Sequence, residues 1–170
     1  MARKVAIVLG SDSDWKIVEE TCKALKELQV PFEVSVISAH RSPAQLREYV
    51  QGAEARSIGV FIAAAGGAAH LPGVIAADTV LPVIGIPIQT STMGGLDSLL
   101  SIAQMPGGVP VGTMSVGSGG ARNAGIYAAQ ILALGDDALR QRLERFKEKL
   151  AEEVTRKNEK LQTLVSEYLK

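Results

Sequence analysis

Short apolar segments alternate with amphipathic segments along most of this 170-residue chain. Residues 5–9 are all apolar, rich in β-branched side chains and followed by Gly10, which is typical of a strand buried on both faces. Further strand-like runs occur at 32–37, 59–65, 82–86 and 109–114. Because parallel strands need long crossovers, this alternation predicts an α/β fold, a three-layer α/β/α arrangement around a parallel five-stranded sheet.

Helical spacing of the apolar side chains predicts the crossovers. The first helix begins at Ser13 or Asp14, either of which can cap it, and ends before Pro31. Pro43 suits the first position of the second helix, because proline lacks the N–H that a first turn leaves unpaired. The later helices are predicted over residues 43–56, 71–79, 96–104 and 121–134.

A different pattern begins at Asp136 and continues along the rest of the chain. Its apolar residues recur every three, four or seven positions among charged ones, which is typical of one long amphipathic helix. They are Leu139, Leu143, Phe146, Leu150, Val154, Leu161, Leu164 and Tyr168. Such a helix would be about 50 Å long, whereas a compact domain of this size is roughly 40 Å across. We therefore predict an α/β domain over 1–135 and a helix over 136–170 that is part of the same domain and contacts a neighbouring subunit. The alternative is a helix that straps only its own domain.

Charge and composition exclude several kinds of partner. Lys plus Arg equals Asp plus Glu at 18 each, so no field of one sign attracts nucleic acid or an anionic membrane. No run reaches the roughly 18 apolar residues of a membrane span, and the N-terminal residues lack the pattern of a signal peptide. We expect a cytoplasmic protein with neither a nucleic-acid nor a membrane partner. The single cysteine, Cys22, is expected to be buried or half-buried in the first helix.

Three unusual loops follow predicted strands, at the sheet edge where α/β proteins bind ligands. The first is 10–14, Gly-Ser-Asp-Ser-Asp. Small residues before a helix let backbone N–H groups and the Ser11 and Ser13 hydroxyls converge on an anion such as phosphate. Asp14 suits a pair of ribose hydroxyls better than it suits phosphate. The alternative that these residues only form a turn stays open.

The second loop, 38–43, carries His40 and Arg41 side by side. Histidine exchanges protons near neutral pH, and a positioned acid/base accelerates a reaction roughly 100- to 10,000-fold. The planar guanidinium of Arg41 matches phosphate. A histidine at a strand end is often only structural, but the neighbouring arginine favours a functional role for His40.

The third loop, 65–73, consists largely of glycine and alanine around His70. Nearly bare backbone can lie flat against a planar ligand and present peptide groups to it. Since both histidines of the chain fall in loops at the same sheet edge, we expect at least one to serve the site. The alternative role for His70 is to cap the helix that follows.

Absent motifs narrow the chemistry further. No strand is followed by the dinucleotide fingerprint G-x-G-x-x-G, and the chain has no Walker-type phosphate loop, paired-histidine zinc motif or G-x-S-x-G elbow. The sequence therefore predicts acid/base chemistry on a phosphorylated small molecule, without a cofactor or a metal ion.

Four separated motifs resemble those of one enzyme family. In chain order they are GSDSDW, SAHRSP, AAGGAAHLPG and GLDSLLSIAQMPGGVPVGT. Over residues 5–134 the chain is similar to the N5-carboxyaminoimidazole ribonucleotide mutases, the catalytic subunit of the two-step bacterial route to carboxyaminoimidazole ribonucleotide. The C-terminal helix contributes least to this resemblance.

The resemblance implies a flavodoxin-like fold, a homo-octamer with sites near subunit boundaries, and transient contact with the ATP-dependent carboxylating synthetase of the same pathway. It also implies that His40 is the general acid/base. His40 would protonate the nitrogen that loses carbon dioxide and later take the proton from C4 of the ring, while the carbon dioxide stays trapped. Ser11, Asp14 and Arg41 match the ribose-phosphate contacts of the family. The positions that match the pocket lining are Ser13, Ser38, Ala39, Gly67, Ala68, His70 and Leu71.

Two alternative functions stay open. Animal-type and some bacterial relatives carboxylate the ring directly with carbon dioxide and carry lysine after the histidine, whereas Arg41 and Pro43 resemble the mutases. A non-catalytic nucleotide- or flavin-binding module would need aromatic shields for a flavin ring, which Trp15 and Tyr49 supply poorly.

The chain departs from the family pattern at Ala64, where glycine is usual, at Asp78 and over residues 115–125. The added methyl group of Ala64 is expected to tighten the pocket wall slightly. None of these departures involves His40 or the phosphate loop.

Overall fold

One parallel sheet forms the centre of the protein, whose computed structural model describes residues 3–169. Its strands are β1 (Lys4–Leu9), β2 (Phe32–Val36), β3 (Ile58–Gly66), β4 (Val83–Ile88) and β5 (Gly112–Thr113). They lie in the order β2-β1-β3-β4-β5. This is the flavodoxin-like order, in which ligands bind near the switch point between β1 and β3. The predicted fold class is confirmed.

In the part of the chain that the structure describes, six helices cover the two faces of the sheet or extend from it, as the sequence predicts. They are α1 (Trp15–Glu27), α2 (Pro43–Gln51), α3 (Leu71–Asp78), α4 (Leu96–Ala103), α5 (Ser118–Leu132) and α6 (Asp137–Tyr168). Two 3₁₀ turns, Asp12–Asp14 and Ala133–Gly135, precede α1 and α6. Within residues 3–169, no helix is both long enough and apolar enough to cross a membrane.

Apolar side chains fill both faces of the sheet. One face buries Ile7 and Ile62 together with residues of α1, α5 and the start of α6, and Cys22 is half-buried beside this cluster, as predicted. The opposite face buries Phe61 with Leu46 of α2 and residues of α3 and α4. Successive residues of β1 and β3 alternate between these clusters and are buried on both sides. The two strands therefore hold the loops at their carboxyl ends rigidly.

The second helix is shorter than the sequence pattern predicts. α2 ends at Gln51 rather than at Arg56: Gly52 is its C-cap, and residues 52–57 form turns. Arg56 instead forms an ion pair with Glu33 at 2.9 Å. The residues predicted to form the last turn of α2 thus tie the helix layer to the edge strand β2.

The last strand is also shorter than predicted. Only Gly112 and Thr113 pair with β4, whereas the pattern predicts a strand over 109–114. Pro110 has no N–H to donate to a neighbouring strand, so regular pairing begins only after it. The following helix, α5, begins at Ser118 rather than at Ala121.

The start of α1 differs from the predicted capping. Asp14 occupies the capping position, but its side chain makes no capping hydrogen bond. The Ser13 hydroxyl donates to Ser11 instead, and the Ser11 oxygen caps the short 3₁₀ turn. Because neither Ser13 nor Asp14 is used as a cap, both side chains are available at the sheet edge.

The long amphipathic helix predicted from Asp136 is present as α6. Its first turns pack on the core through Leu139, Leu143 and Phe146. Every residue from 147 to 169 is exposed. This exposed part of α6 is about 33 Å long at 1.5 Å per residue. The alternative of a helix that straps only its own domain is therefore wrong for this part, whereas contact with a neighbouring subunit stays a prediction.

Candidate active site

A cleft of about 430 Å³ lies at the carboxyl ends of β1, β2 and β3. Ten of the eleven site residues predicted from the sequence line it: Ser11, Ser13, Asp14, Ser38, Ala39, His40, Arg41, Ala68, His70 and Leu71. Gly10, Ala65 and Gly66 line it as well, although no role was predicted for them individually. The eleventh predicted residue, Gly67, is not part of the lining.

Strand register explains why these residues meet. β1 pairs with both β2 and β3, and Leu9 lies opposite Val36 on one side and Ala64 on the other. Because the strands are parallel, the chain leaves the sheet after each of these positions at the same edge. Loops that are about 30 residues apart in sequence thus become the walls of one cleft.

The first loop brings two hydroxyl groups to the cleft. The Ser13 hydroxyl donates to the Ser11 oxygen at 2.8 Å, and the Ser13 N–H donates to the same oxygen at 3.3 Å. Ser11 in turn donates to the Asp12 carboxylate at 3.3 Å. Hydroxyl groups rotate to suit their partners, so both serines can donate to an anion that enters the cleft.

Asp14 is a buried carboxylate with few donors. The residue is 9% exposed, and burial raises the pKa of its carboxyl group, while hydrogen bonds from Ser13 and Ser11 oppose the shift. The Ser13 hydroxyl lies 3.3 Å from Oδ1, and its single proton is shared with the shorter contact to Ser11 at 2.8 Å. A pair of ribose hydroxyls would supply the donors that this carboxylate lacks.

Arg41 joins the first two loops. Its terminal nitrogen donates to the Gly10 carbonyl at 3.2 Å, and its Nε donates to the Ser38 hydroxyl at 3.4 Å. The Arg41 backbone N–H also donates to Ser38 Oγ, while Ser42 bonds to the Ser38 backbone. Among the described residues, these contacts use two of the five N–H donors of the guanidinium. The other three can bind an anion at the cleft.

The two histidines are in direct contact. His40 Nε2 lies 2.9 Å from His70 Nδ1, and the rings meet edge to face with centroids 5.0 Å apart. Both side chains are exposed at the cleft. One of the facing nitrogens must carry a hydrogen and the other must accept it, so the contact links the tautomers of the two rings.

His70 does not serve as the helix cap that was its alternative role. It occupies the position before α3, but its side chain makes no capping hydrogen bond. The ring is turned toward His40 instead. The capping alternative is therefore wrong, and both histidines belong to the cleft.

Gly67 lies between two residues that line the cleft, Gly66 and Ala68, and its role in binding stays a prediction. Its backbone is left-handed, with φ of +66°, a conformation that favours glycine. Its N–H donates at 2.9 Å to the hydroxyl of Ser98, a fully buried residue of α4, so this peptide group is held by the protein itself. Ser98 is not among the residues that the sequence predicts for the site. Its helical spacing could have indicated its burial, because Ser98 lies four positions before Ile102 on the buried face of the same helix.

Comparison with known proteins identifies the family. The family model described as AIR carboxylase matches residues 4–153, which is most of the chain. The chain belongs to this family. Among curated members of the AIR carboxylase family, the N5-carboxyaminoimidazole ribonucleotide mutase of Mycobacterium leprae is 52% identical over 159 residues, or 94% of this chain and 92% of that one. The mutase of Bacillus subtilis is 52% identical over 157 residues, or 92% and 97% of the two chains.

A solved structure confirms the fold of this AIR carboxylase family member. The crystal structure of PurE from Treponema denticola matches with a TM-score of 0.85 at 24% sequence identity. The match covers 94% of this chain and 98% of that chain. The three-layer arrangement is thus shared with a solved relative over nearly the whole length.

Ala64 was expected to tighten the pocket wall, but it does not line the cleft. The residue is fully buried and packs in the cluster under α1 and α5 rather than in the cleft lining. Successive side chains of β3 point to opposite faces, and position 64 points into the core. The extra methyl group therefore contributes to packing.

A larger cavity, of about 840 Å³, lies between the end of α2 and the loop after α3, at the amino ends of the strands. It is lined by neither histidine nor cysteine. Asp78 lines it and forms an ion pair with Arg47 at 3.6 Å. Since ligands of such sheets bind at the carboxyl ends of the strands, we assign the candidate site to the cleft that holds both histidines.

Proposed function

We propose that this protein is a mutase of de novo purine biosynthesis. It moves the carboxylate of N5-carboxyaminoimidazole ribonucleotide from N5 to C4 and so forms 4-carboxyaminoimidazole ribonucleotide. The observation that carries the proposal is the exposed His40 imidazole in a cleft whose other groups suit a ribose phosphate. The names of the relatives from Mycobacterium leprae and Bacillus subtilis support the same reaction.

In the proposed complex, the ribonucleotide is held by the first two loops. The phosphate accepts hydrogen bonds from Ser11, Ser13 and the remaining N–H groups of Arg41, which adds charge attraction to the hydrogen bonds. Asp14 accepts hydrogen bonds from the ribose hydroxyls. The flat aminoimidazole ring lies against the nearly bare backbone around Ala68, with Ser38, Ala39 and Leu71 completing the pocket.

His40 carries the one proton that the reaction moves. The bond between N5 and the carbamate carbon breaks, its electron pair stays on N5, and His40 protonates that nitrogen. Carbon dioxide then accepts an electron pair from C4 of the ring, and His40 removes the C4 proton after the new bond forms. Atoms and electrons balance without an oxidant, a reductant or a cofactor. The protein contributes confinement of carbon dioxide, orientation of the ring and general acid/base catalysis.

His70 has a supporting role in this mechanism. Its Nδ1 is 2.9 Å from His40 Nε2, so it can hold the His40 ring in one orientation and one tautomer between the two proton transfers. His70 also lines the cleft, where it helps to enclose the carbon dioxide.

We further propose that the protein works as a cytoplasmic homo-octamer with sites near subunit boundaries. Residues 1–135 form the catalytic domain, and the helix over 136–170 is the part of that domain that contacts a neighbouring subunit. Leu150, Val154 and Leu161 support this proposal, because each is at least 44% exposed on a single chain. The carboxylating synthetase, a transient partner, would deliver the carbamate substrate to the cleft.

The experiment that tests the function compares two substrates. In buffer purged of bicarbonate, the mutase converts N5-carboxyaminoimidazole ribonucleotide rapidly, and ¹³C-labelled bicarbonate added during turnover does not enter the product carboxylate. A direct carboxylase would instead make product only from aminoimidazole ribonucleotide and bicarbonate. His40→Asn is the matched control for spontaneous reaction. If neither substrate is converted, or if a purified coloured protein carries a flavin, the proposed function is wrong.

A further inference from the structure

Ser98 is a buried polar side chain that the proposed mechanism does not use. It is fully buried in α4, and its hydroxyl makes two hydrogen bonds to the backbone of other elements. The oxygen accepts the Gly67 N–H at 2.9 Å, and the hydroxyl proton goes to the Ile88 carbonyl at 2.7 Å. Ser98 therefore connects the loop after β3 with the end of β4, although it does not line the cleft.

The loop from Gly67 to His70 is short and internally hydrogen-bonded, so a shift of Gly67 would also move His70. The Ala69 N–H donates to the Gly67 carbonyl and the His70 N–H to the Ala68 carbonyl, each at 2.8 Å, so two consecutive three-residue turns link Gly67 to His70. Ala69 is also buried, with 1% of its surface exposed. The loop has little freedom to adjust between Ser98 at one end and the His70 ring at the other.

We infer that Ser98 is a positioning residue for the histidine pair: through Gly67 it sets the place of the His70 ring and, through that ring, the orientation of His40. This inference rests on the proposed function only for its kinetic consequence. The contacts from Ser98 to Gly67, from the loop to His70 and from His70 to His40 stand independently of the substrate.

Loss of the Ser98 hydroxyl should affect turnover more than substrate affinity. The groups proposed to hold the ribose phosphate, Ser11, Asp14 and Arg41, lie on the loops after β1 and β2, which Ser98 does not contact. A displacement of the loop after β3 by about 1 Å can lower a rate about 100-fold, because proton transfer depends steeply on geometry. Ser98→Ala should therefore lower kcat by roughly 10- to 100-fold while KM changes by less than about threefold.

Thr21 offers a matched control. It is also fully buried, and its hydroxyl donates to a backbone carbonyl, that of Ala121, at 2.7 Å. Thr21→Val removes this hydroxyl without changing the shape of the side chain. If loss of a buried hydrogen bond alone caused the effect, Thr21→Val would lower kcat as Ser98→Ala does; we expect it to lower only the melting temperature.

Nuclear magnetic resonance and a second variant test directly whether Ser98 positions the two histidines through Gly67. In the Ser98→Ala protein, nuclear magnetic resonance should show faster hydrogen exchange of the Gly67 amide and a changed tautomer balance of the His40 and His70 rings. Gly67→Ala is a second variant that tests the same connection if Ser98→Ala does not fold. A Cβ at this position meets no atom within 4 Å, but it disfavours the left-handed backbone, so this variant should show the same split between kcat and KM.

The outcomes distinguish this inference from the proposed function. A folded Ser98→Ala protein with wild-type kcat and unchanged histidine tautomers overturns the positioning role. An equal loss of kcat in Thr21→Val also overturns it. A wild-type protein that turns over neither candidate substrate refutes the proposed function, and in that case the resonances of Gly67, His40 and His70 still decide the positioning role.

Discussion

His40 Nε2 and His70 Nδ1 lie 2.9 Å apart, and they come from loops that follow different strands. Contact at this distance requires one hydrogen between the two nitrogens, so the tautomer of the His70 ring decides whether His40 Nε2 donates or accepts. The proposed acid/base group is therefore held by a neighbour whose tautomer must match its own.

Replacing His40 tests the proton carrier. We expect His40→Asn to lower kcat by roughly 100- to 10,000-fold, because the general acid/base is removed. Ribonucleotide affinity should stay within about tenfold, since the phosphate and ribose contacts are made by other residues. Steady-state kinetics and calorimetric titration with the product measure the two quantities. A variant with wild-type turnover would remove His40 from the mechanism.

Replacing His70 tests the supporting contact. We expect His70→Leu to lower kcat by about tenfold, less than His40→Asn, because the proton carrier stays but loses the neighbour that orients it. His70→Asn keeps a hydrogen-bonding side chain and should lie between His70→Leu and the wild type. Steady-state kinetics of the wild type, His70→Asn, His70→Leu and His40→Asn, which rank the four kcat values, are the decisive measurement. Equal inactivation by His70→Leu and His40→Asn would contradict a merely orienting role for His70.

Asp14→Asn should stabilise the protein and weaken substrate binding at the same time. Burial raises the pKa of the Asp14 carboxyl in the folded state, so the folded chain holds this proton more tightly than the unfolded chain does. Stability is therefore lost as the pH rises from the ordinary value of 3.8 through the raised pKa, and the ionised carboxylate destabilises the fold at neutral pH. Asparagine carries no charge, so the variant should melt at a higher temperature at pH 7, and the difference should narrow toward pH 4.

The same variant should raise KM roughly 10- to 100-fold, because hydrogen bonds to a charged acceptor are lost. Asp12→Asn is the matched control, since Asp12 is an exposed carboxylate in the same turn. Thermal melts at several pH values and steady-state kinetics measure both effects. A lower melting temperature for Asp14→Asn at pH 7 would contradict the assigned cost of burial.

Two glycines of α5 test the close packing of α1 and α5. A Cβ on Gly125 would lie 2.8 Å from the Thr21 carbonyl oxygen, so Gly125→Ala should lower the free energy of unfolding by about 1–3 kcal/mol. A Cβ on Gly119 would meet no atom within 4 Å, so Gly119→Ala should raise the free energy of unfolding by up to about 1 kcal/mol. Denaturant unfolding of both variants checks the opposite signs.

The exposed part of α6 tests the subunit contact. Leu161 is 55% exposed, and Leu161→Lys should lower the oligomeric state, because a charge is placed in an apolar contact between chains. Gln162→Lys adds the same charge at a neighbouring exposed position and should leave the assembly unchanged. Light scattering measures the oligomeric state of both variants. The chain should stay folded in each case, because α6 is anchored by Leu139, Leu143 and Phe146. An unchanged assembly in Leu161→Lys would refute the contact.

Local pattern was sufficient to predict the strands and the position of the loops, but it was less accurate at helix and strand ends. α2 stops at Gly52 and β5 is delayed by Pro110, two effects of single residues that a periodic pattern of apolar side chains averages out. The pattern also did not indicate how Gly67 is held. Its peptide group is held by Ser98, a contact between residues 31 positions apart that periodicity does not report.

The sequence by itself determined the alternation of strands and helices, and with it the sheet edge at which His40, Arg41 and the serine loop would meet. Parallel pairing places all strand carboxyl ends on one side, so this result needs only element order. Only the tertiary structure decided that His40 contacts His70, that Asp14 is buried and that Ser98 holds the loop. Each of these depends on strand register or helix packing to within about an ångström, and those distances are set by the whole core rather than by neighbouring residues.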